Sequence, residues 1–176
     1  MLLALGEAPV STIPKPLDQL YTAHHIMVFR TAHRITGNAE DAEDVLQTVF
    51  LRLLKRDSMD EIDNPESYLR RSAVNAALDV VRARQADNSL ELERMPASGS
   101  CTELRDLRDT LRRSLAKLPD RTAEMFALRF FEGYTNPEIA KIMGLSQIVV
   151  AVTVHRTRKK LQEELKKQDH RKGAAR

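Results

Sequence analysis

Residues 135–160 read TNPEIAKIMGLSQIVVAVTVHRTRKK, and this stretch decides the fold of the C-terminal half of the chain. Thr135 stands three residues before Glu138, which is the spacing of a capping box at the start of a helix. Gly144 ends that short helix, and Ser146 can cap the longer helix that follows. A helix, a tight turn with glycine and a second helix predict a helix-turn-helix.

The second of these helices leads into a run of basic side chains, which are His155, Arg156, Arg158, Lys159 and Lys160. Such a density of basic groups beside a helix that enters a DNA groove is typical of phosphate contacts. The simpler alternative is a solvated helix whose bases pair with acids one turn away, and Glu163 and Glu164 partly support it. The complete helix-turn-helix pattern favours DNA binding over that alternative.

Helical spacing of apolar residues recurs upstream, where few glycines and aromatic residues disfavour an all-β fold. The chain is predicted to be all-α, with two small helical domains joined by a flexible linker. The predicted helices cover residues 17–34, 39–56, 66–84, 102–118 and 123–131, the last capped by Thr122, with polar loop and linker segments at 57–67 and 86–101. The predicted divisions are a flexible N-terminal extension (1–16), a first domain (17–86), a linker (87–102), a helix-turn-helix domain (103–168) and a basic tail (169–176).

Formal charge divides the chain in the same way. The net charge is +3. Residues 17–88 carry nine Lys and Arg against twelve Asp and Glu, whereas residues 103–176 carry seventeen against ten. A polyanionic partner is therefore expected for the C-terminal half. The acidic N-terminal half is expected to meet a basic protein surface, or to read nucleic acid by means other than bulk charge.

Several motifs occur in a fixed order along the chain. They are GNAEDAEDVLQ (37–47) with Phe50-Leu51-Arg52, NPESYL (64–69), AVNAALDVVR (73–82), LPDR (118–121), LRFFEG (128–133), EIAKIMGLS (138–146) and VHRTRKKL (154–161). Together they resemble regions 2 and 4 of the sigma factors of bacterial RNA polymerase, over almost the whole chain beyond residue 16. With only these two regions and a short connection, the resemblance is to the extracytoplasmic-function group.

The resemblance implies an alternative sigma factor, which binds core RNA polymerase and directs promoter recognition. In the family, the helix that here carries Asp41, Asp44 and Gln47 docks on the clamp helices of the β′ subunit, and region 4 meets the β flap. Thr48 stands where the family often has Glu, which puts one of these contacts in doubt.

The helix that carries Tyr68, Asn75 and Arg82 is implied to bind the −10 element and to hold its unstacked bases. The family often has Trp where this chain has Tyr68. The −35 element is implied to be read by the second helix of the helix-turn-helix. The expected contacts there are Ser146, Gln147, Val149, Thr153, Arg156, Arg158 and Lys159.

The second helix of the helix-turn-helix begins with apolar side chains, whereas polar or basic side chains are common at these positions in the family. Val150 and Val154 lie one turn apart and are expected to face the core, and three further apolar side chains cannot all join them. These are Ile148, Val149 and Val152. Two explanations stay open: the exposed valines pack on thymine methyl groups, with Gln147 and Thr153 as polar contacts, or the patch binds a protein. The second is preferred, because the loss of polar groups removes direct base readout.

Two rival functions remain. An ordinary helix-turn-helix regulator that binds DNA as a dimer leaves the first domain unexplained. A nucleic-acid hydrolase using the acidic loop 57–66 lacks a histidine or metal-ligand constellation, so the chain is expected not to be an enzyme and to need no cofactor or metal. The expected partners are core polymerase, promoter DNA and an anti-sigma factor. A single cysteine and the lack of a membrane-length apolar run favour the cytoplasm without membrane insertion.

Overall fold

The computed structural model describes residues 15–56, 62–88 and 102–174, and in these ranges it contains seven α-helices and no strand. The all-α prediction is therefore confirmed. The helices are α1 (Lys15–Thr36), α2 (Ala39–Leu54), α3 (Pro65–Asn88), α4 (Thr102–Ala116), α5 (Asp120–Phe130), α6 (Asn136–Met143) and α7 (Gln147–Ala174). Most of the predicted N-terminal extension and linker lies outside the described residues, although α1 already begins at Lys15 and α3 continues to Asn88.

Helices α1 to α3 form the N-terminal domain around the apolar stripe of α2. The side chain of Asn38 caps α2 by accepting a hydrogen bond from the backbone N–H of Glu40 at 3.1 Å. Val45, Val49 and Leu53 then recur at helical spacing and are buried against α1 and α3. Their burial fixes the rotation of α2 and leaves its opposite side facing solvent.

Helices α4 to α7 form the C-terminal domain, in which α5 begins earlier than the sequence predicts. The carbonyl of Pro119 accepts hydrogen bonds from the backbone N–H groups of Thr122 and Ala123. The first turn therefore starts at Asp120, and Thr122 lies inside it, so the predicted cap at Thr122 is wrong. Pro119 occupies the cap position without a side-chain hydrogen bond.

The helix-turn-helix comprises α6 and α7, as predicted. Thr135 and Glu138 form the capping box. The Thr135 N–H donates to the Glu138 carboxylate at 2.7 Å, and the Thr135 hydroxyl donates to the same carboxylate oxygen at 2.6 Å. The Thr135 hydroxyl and N–H together lower the pKa of Glu138. Gly144 closes α6 in the left-handed conformation, with φ at 64°, which favours glycine. Val150 and Val154 of α7 are buried, as expected.

Within the described ranges, no single helix is long and apolar enough to cross a membrane. Helix α6 and the first part of α7 reach that length and hydropathy only as a pair, across a bend of 113°.

Helix α3 joins the two domains, since it packs against α1 and α2 on one side and against α4 and α5 on the other. A second junction lies at the turn between α1 and α2. There the Arg112 Nε of α4 donates to the Ile35 carbonyl at 2.9 Å, and its guanidinium fills the space beside Gly37 where a Cβ would lie. Gly37 also has φ at 73°, so the turn requires glycine for two separate reasons.

Candidate functional site

The outward side of α2 presents a mixed polar and apolar stripe. Asp44 and Gln47 are exposed, and Leu51 and Leu54 continue the same stripe and are also exposed. The first two residues were predicted to bind core polymerase, and α2 places them one turn apart, uncovered by any of the residues that the structure describes. Exposed leucines beside polar groups are the composition of a protein interface rather than of an ordinary solvated helix.

A shallow depression of about 490 Å³ lies beside this stripe, between α1 and α2. Tyr21, Ile26 and Phe29 line it from α1, and Leu46 and Gln47 line it from α2. Tyr21 and Ile26 are largely exposed despite their size. The depression therefore extends the apolar part of the α2 surface, with Gln47 at the boundary between the two.

Asp41 does not share this exposed surface, although it was predicted to contact polymerase. Asp41 is only 7% exposed, and its carboxylate lies 2.8 Å from the Arg84 guanidinium of α3. Burial raises the pKa of Asp41, and the nearby Arg84 partly opposes that shift. A contact with polymerase would require Asp41 to be exposed, and it is not, because it stands four residues before Val45 on the buried stripe of α2.

Tyr68, at the start of α3, is partly buried and keeps its hydroxyl at the surface. The Arg56 guanidinium donates to this hydroxyl at 3.2 Å, and its central carbon lies 5.2 Å from the ring centre. This geometry combines a hydrogen bond with a cation–π contact. Arg56, just after the end of α2, therefore holds the Tyr68 ring in one orientation near the start of α3.

Asn75 and Arg82 point towards the C-terminal domain. The Asn75 amide donates to the Glu124 carboxylate at 3.2 Å. Arg82 lies 3.1 Å from the Asp120 carboxylate and 3.3 Å from that of Asp79. Asn75 and Arg82, two of the three residues predicted to contact the −10 element, share one side of α3. Asn75 is hydrogen-bonded to Glu124 of α5, and Arg82 forms an ion pair with Asp120 of α5.

Two further arginines of α3 lie on the same side. The Arg70 guanidinium contacts the Glu132 carboxylate at 2.8 Å and the Glu66 carboxylate at 2.8 Å. Burial acts to lower the pKa of Arg70, but the hydrogen bonds to Glu66 and Glu132 raise it overall, and the bond to Arg70 lowers the pKa of Glu66. Arg71 donates to the Glu124 carboxylate at 2.5 Å and so shares that acceptor with Asn75.

A tyrosine of the C-terminal domain completes this contact. Burial raises the pKa of Tyr134, and a hydrogen bond with Ser67 of α3 partly offsets that shift. Hydrogen bonds and ion pairs therefore join the two domains at this surface.

The predicted −35 contacts lie on the outer surface of α7. Ser146 caps the helix by accepting from the Val149 N–H at 3.3 Å. Gln147 is exposed at the first turn, and Thr153 is partly exposed one and a half turns later. The basic members of the set, Arg156, Arg158 and Lys159, are all exposed.

The apolar surface expected on α7 is present. Ile148 is 76% exposed, and Val149 and Val152 are exposed to a little under half. They lie beside Gln147 on the first two turns, before the basic residues begin. The helix therefore has an apolar N-terminal part and a cationic C-terminal part on its outer surface.

Sequence reasoning missed the contact between the domains, which rests on Glu124, Glu132, Arg70 and Arg71. Glu124 carried a signal, because it interrupts the apolar stripe of α5 four residues before the buried Leu128. A carboxylate on a buried stripe requires a cationic or hydrogen-bonding partner. Glu132 lies in the LRFFEG motif, but nothing in that motif identifies an arginine 62 residues earlier as its partner.

Both domains match known families. Residues 20–86 match the family described as Sigma-70 region 2, and residues 108–161 match Sigma-70, region 4. The RNA polymerase sigma-E factor of Streptomyces avermitilis is 30% identical over 145 residues, which cover 81% of this chain and 80% of that protein. This chain belongs to the extracytoplasmic-function group of sigma-70 factors. Its N-terminal domain is accordingly region 2, and its C-terminal domain is region 4.

Two further similarities agree with this assignment. The sigma factor SigE of Mycolicibacterium smegmatis is 29% identical over 161 residues, covering 85% of this chain but only 62% of that protein. The solved structure of CnrH in complex with the cytosolic domain of CnrY has a TM-score of 0.54 and 24% sequence identity. It covers 85% of this sigma factor and 87% of that chain, and it supports the fold.

Proposed function

We propose that this sigma factor binds core RNA polymerase through the outward side of α2, contacts the −10 element through α3 and contacts the −35 element through α7. One observation carries the proposal. A polar and apolar protein-binding stripe on α2 and a cationic helix-turn-helix occur in one chain. A regulator that binds an operator alone needs the second feature and not the first.

The polymerase-binding part rests on Asp44 and Gln47 with the neighbouring exposed leucines. A carboxylate and an amide at the edge of an apolar surface give an interface both affinity and register. Asp41 takes a supporting role in this proposal, because its carboxylate is already paired with Arg84.

The −10 part rests on one side of α3. Tyr68 offers a ring of fixed orientation on which a base can stack, and Asn75 offers an amide that can bond to a base edge. Arg82 supplies a guanidinium for the phosphate backbone. The capture of unstacked bases by such groups offsets the cost of opening the duplex without ATP.

The −35 part rests on α7. Ser146, Gln147 and Thr153 supply polar groups near the start of the helix, and Arg156, Arg158 and Lys159 supply charge to neighbouring phosphates. Phosphate contacts position the helix in the groove, and base readout falls to the few polar side chains.

The partners follow from this assignment. They are core polymerase, through its β′ clamp helices and β flap, and promoter DNA. Because the structurally similar sigma factor RpoE of Bartonella quintana is in complex with the anti-sigma factor NepR, an anti-sigma factor is a further proposed partner. The protein acts by binding and not by catalysis, without a cofactor, in the cytoplasm where core polymerase works.

Run-off transcription tests the proposal. Purified full chain is added to core polymerase on a library of candidate promoter fragments. Promoter-specific transcripts that depend on the chain are expected. The same core polymerase is tested with another sigma factor as a control. If that control gives transcripts and this chain gives none, the assignment is contradicted. A pull-down with core polymerase separates the proposed role from that of a regulator that binds DNA alone.

A further inference from the structure

The residue that follows α2 and the start of α3 form a layered contact at the surface of region 2. The Arg56 guanidinium lies over the Tyr68 ring, with its central carbon 5.2 Å from the ring centre, and it donates to the Tyr68 hydroxyl at 3.2 Å. We call these two side chains the Arg56/Tyr68 stack. Tyr68 belongs to the proposed −10 surface, whereas Arg56 belongs to none of the proposed binding surfaces.

Backbone hydrogen bonds support both halves of the stack. The Asn64 side chain accepts from the Ser67 N–H at 3.0 Å, and the Asn64 carbonyl accepts from the Tyr68 N–H at 3.0 Å. Asn64 therefore caps α3 and fixes the direction in which Tyr68 leaves the backbone. The Arg56 N–H donates to the Leu53 carbonyl at 3.2 Å, which keeps Arg56 on the last turn of α2. Since α2 and α3 pack against each other, the stack stands on a rigid base.

Burial gives the two layers an order. The Tyr68 side chain is partly buried and packs against the apolar core. Arg56 is exposed, and its hydrogen bond to Tyr68 also lies at the surface. The guanidinium is therefore the outer layer and the ring is the inner one. A flat group that arrives from solvent meets the guanidinium first.

A guanidinium in this position can hold a second flat group. It is planar and weakly hydrated, and it stacks on aromatic faces. Unpaired bases stack on arginine planes and on aromatic side chains, and this contact tolerates any sequence because every base has a flat face. An arginine that is already held by a ring also loses less side-chain freedom on binding than a freely rotating one.

We propose that the Arg56/Tyr68 stack binds one unpaired base of the −10 strand, with the base on the Arg56 guanidinium and the Tyr68 ring supporting the guanidinium from the protein side. The inference rests on the proposed −10 role of α3 and adds to it a residue from the end of α2. The contact favours single-stranded DNA over duplex, because neighbouring bases cover both faces of each base inside a duplex.

The proposed contact depends on the planar shape of the arginine as well as on its charge. Lysine keeps the positive charge and can still lie over the Tyr68 ring, but its compact ammonium offers no plane to a base. Arg56→Lys therefore removes the stacking surface and leaves the attraction to phosphates in place. Because Arg56 is exposed, this substitution is expected to leave the fold intact.

The test uses the complex of the full chain with core polymerase and two fluorescein-labelled single-stranded DNA 20-mers. One has a randomised base sequence, and the other is abasic at every position, so both carry the same phosphates. Fluorescence anisotropy gives the dissociation constant of each. The constant for the abasic strand divided by that for the base-containing strand is the base-dependence ratio. The matched control is Arg108→Lys, the same substitution at an exposed arginine of α4 that has no proposed role.

Arg56→Lys is expected to lower the base-dependence ratio by about three- to tenfold relative to the parent, as for the loss of one stacking contact. Its affinity for the abasic strand should stay parental, and Arg108→Lys should keep the parental ratio. An Arg56→Lys variant with the parental ratio would overturn the proposal. An equal fall in the control variant would overturn it as well.

Tyr68→Leu tests the supporting layer, because leucine stays apolar but removes the ring beneath the guanidinium. It is expected to lower the base-dependence ratio at least about threefold, and an unchanged ratio would refute the layered arrangement. Circular dichroism checks that this partly buried substitution leaves the chain folded, and Arg56→Lys decides alone if it does not. Run-off transcription by the parent tests the sigma assignment separately. Transcripts together with an unchanged ratio for Arg56→Lys would reject only the stack, whereas the absence of transcripts would contradict the proposed function.

Discussion

The outward side of α2 and the side of α3 that faces region 4 carry similar polar groups but differ in what those groups contact. Asp44 and Gln47 of α2 are exposed. In α3, Asn75 donates a hydrogen bond to Glu124 of region 4, and Arg82 forms an ion pair with Asp120 of region 4. On the proposed assignments, the side chains that meet polymerase are exposed in the folded chain, whereas two of those assigned to the −10 element also contact region 4. The comparison teaches that polar side chains of similar chemistry can face an outside partner or join two domains, depending on what lies opposite them.

Helix α7 resembles α2 in this comparison. Its basic residues Arg156, Arg158 and Lys159 are exposed and are free to meet a duplex without rearrangement of the chain. The two helices proposed to bind DNA, α3 and α7, therefore differ in how exposed their binding side chains are. Substitutions on α2, α7 and α3 are accordingly expected to have different consequences for affinity and stability.

The largest effect is expected on α2. Asp44→Ala combined with Gln47→Ala should weaken association with core polymerase by about 10- to 100-fold, the range for loss of two interface anchors. The melting temperature should stay within about 2 °C of the parent, because exposed substitutions rarely change stability by more than about 0.5 kcal/mol. Binding is measured by fluorescence with labelled core polymerase. Glu163→Ala is the control, and a double variant with parental affinity would remove the assignment.

A smaller effect is expected on α7. Single substitutions of Arg156, Arg158 or Lys159 by Ala should lower DNA affinity by about fivefold on all promoters alike, because phosphate contacts carry no sequence information. Each should also reduce the slope of log affinity against log salt by about one. Titrations at several salt concentrations measure both quantities. A loss confined to certain promoters, with an unchanged slope, would indicate base readout.

The buried acid of α2 provides a stability test within the same helix. Because burial raises the pKa of Asp41, the folded state binds this proton more tightly than the unfolded chain. The charge therefore opposes folding at neutral pH, and this penalty is lost as pH falls through the raised pKa towards 3.8.

Asp41→Asn should accordingly raise the free energy of unfolding at pH 7, because the substitution removes the charge that burial disfavours. The parent should gain stability relative to this variant as the pH is lowered. Urea unfolding at pH 7 and pH 4.5 measures the difference. A parent that loses stability relative to the variant at low pH would show that the pairing with Arg84 outweighs burial.

The smallest effect is expected at the apolar patch of α7. Val149→Lys combined with Val152→Ser should change transcription by less than about twofold on promoters with T-rich −35 elements, if the patch binds protein rather than thymine methyl groups. Run-off assays on paired promoters that differ only at the −35 element provide the measurement. A selective fall at the T-rich promoter would favour the thymine contact.

Local patterns predicted much of this fold. The capping box at Thr135 and Glu138, the left-handed Gly144 and the burial of Val150 and Val154 all follow from residues within one or two turns of each other. The error at α5 is also local, because the carbonyl of Pro119 starts that helix three residues before the expected cap. Contacts between residues that are close in sequence can be predicted, because both partners lie within one or two turns of the same segment.

The contacts between regions 2 and 4 were not predictable in this way. Their partners are separated by 49 residues for Asn75 and Glu124 and by 98 for Arg34 and Glu132. A sequence shows that Glu124 needs a partner but not which of many arginines supplies it. The buried position of Asp41 was predictable from its spacing to Val45, yet its partner Arg84 lies on another helix.

The same separations set the order in which the chain can assemble during its synthesis. Helices form in about a microsecond, whereas ribosomes add about 5–20 residues per second. The 62 residues between Arg70 and Glu132 therefore take about 3–12 s to make. For that interval a newly made region 2 holds its arginines without the acidic partners that region 4 supplies. A nascent chain passes through a state in which its cationic side is open to any nearby nucleic acid, and it closes only as region 4 leaves the ribosome.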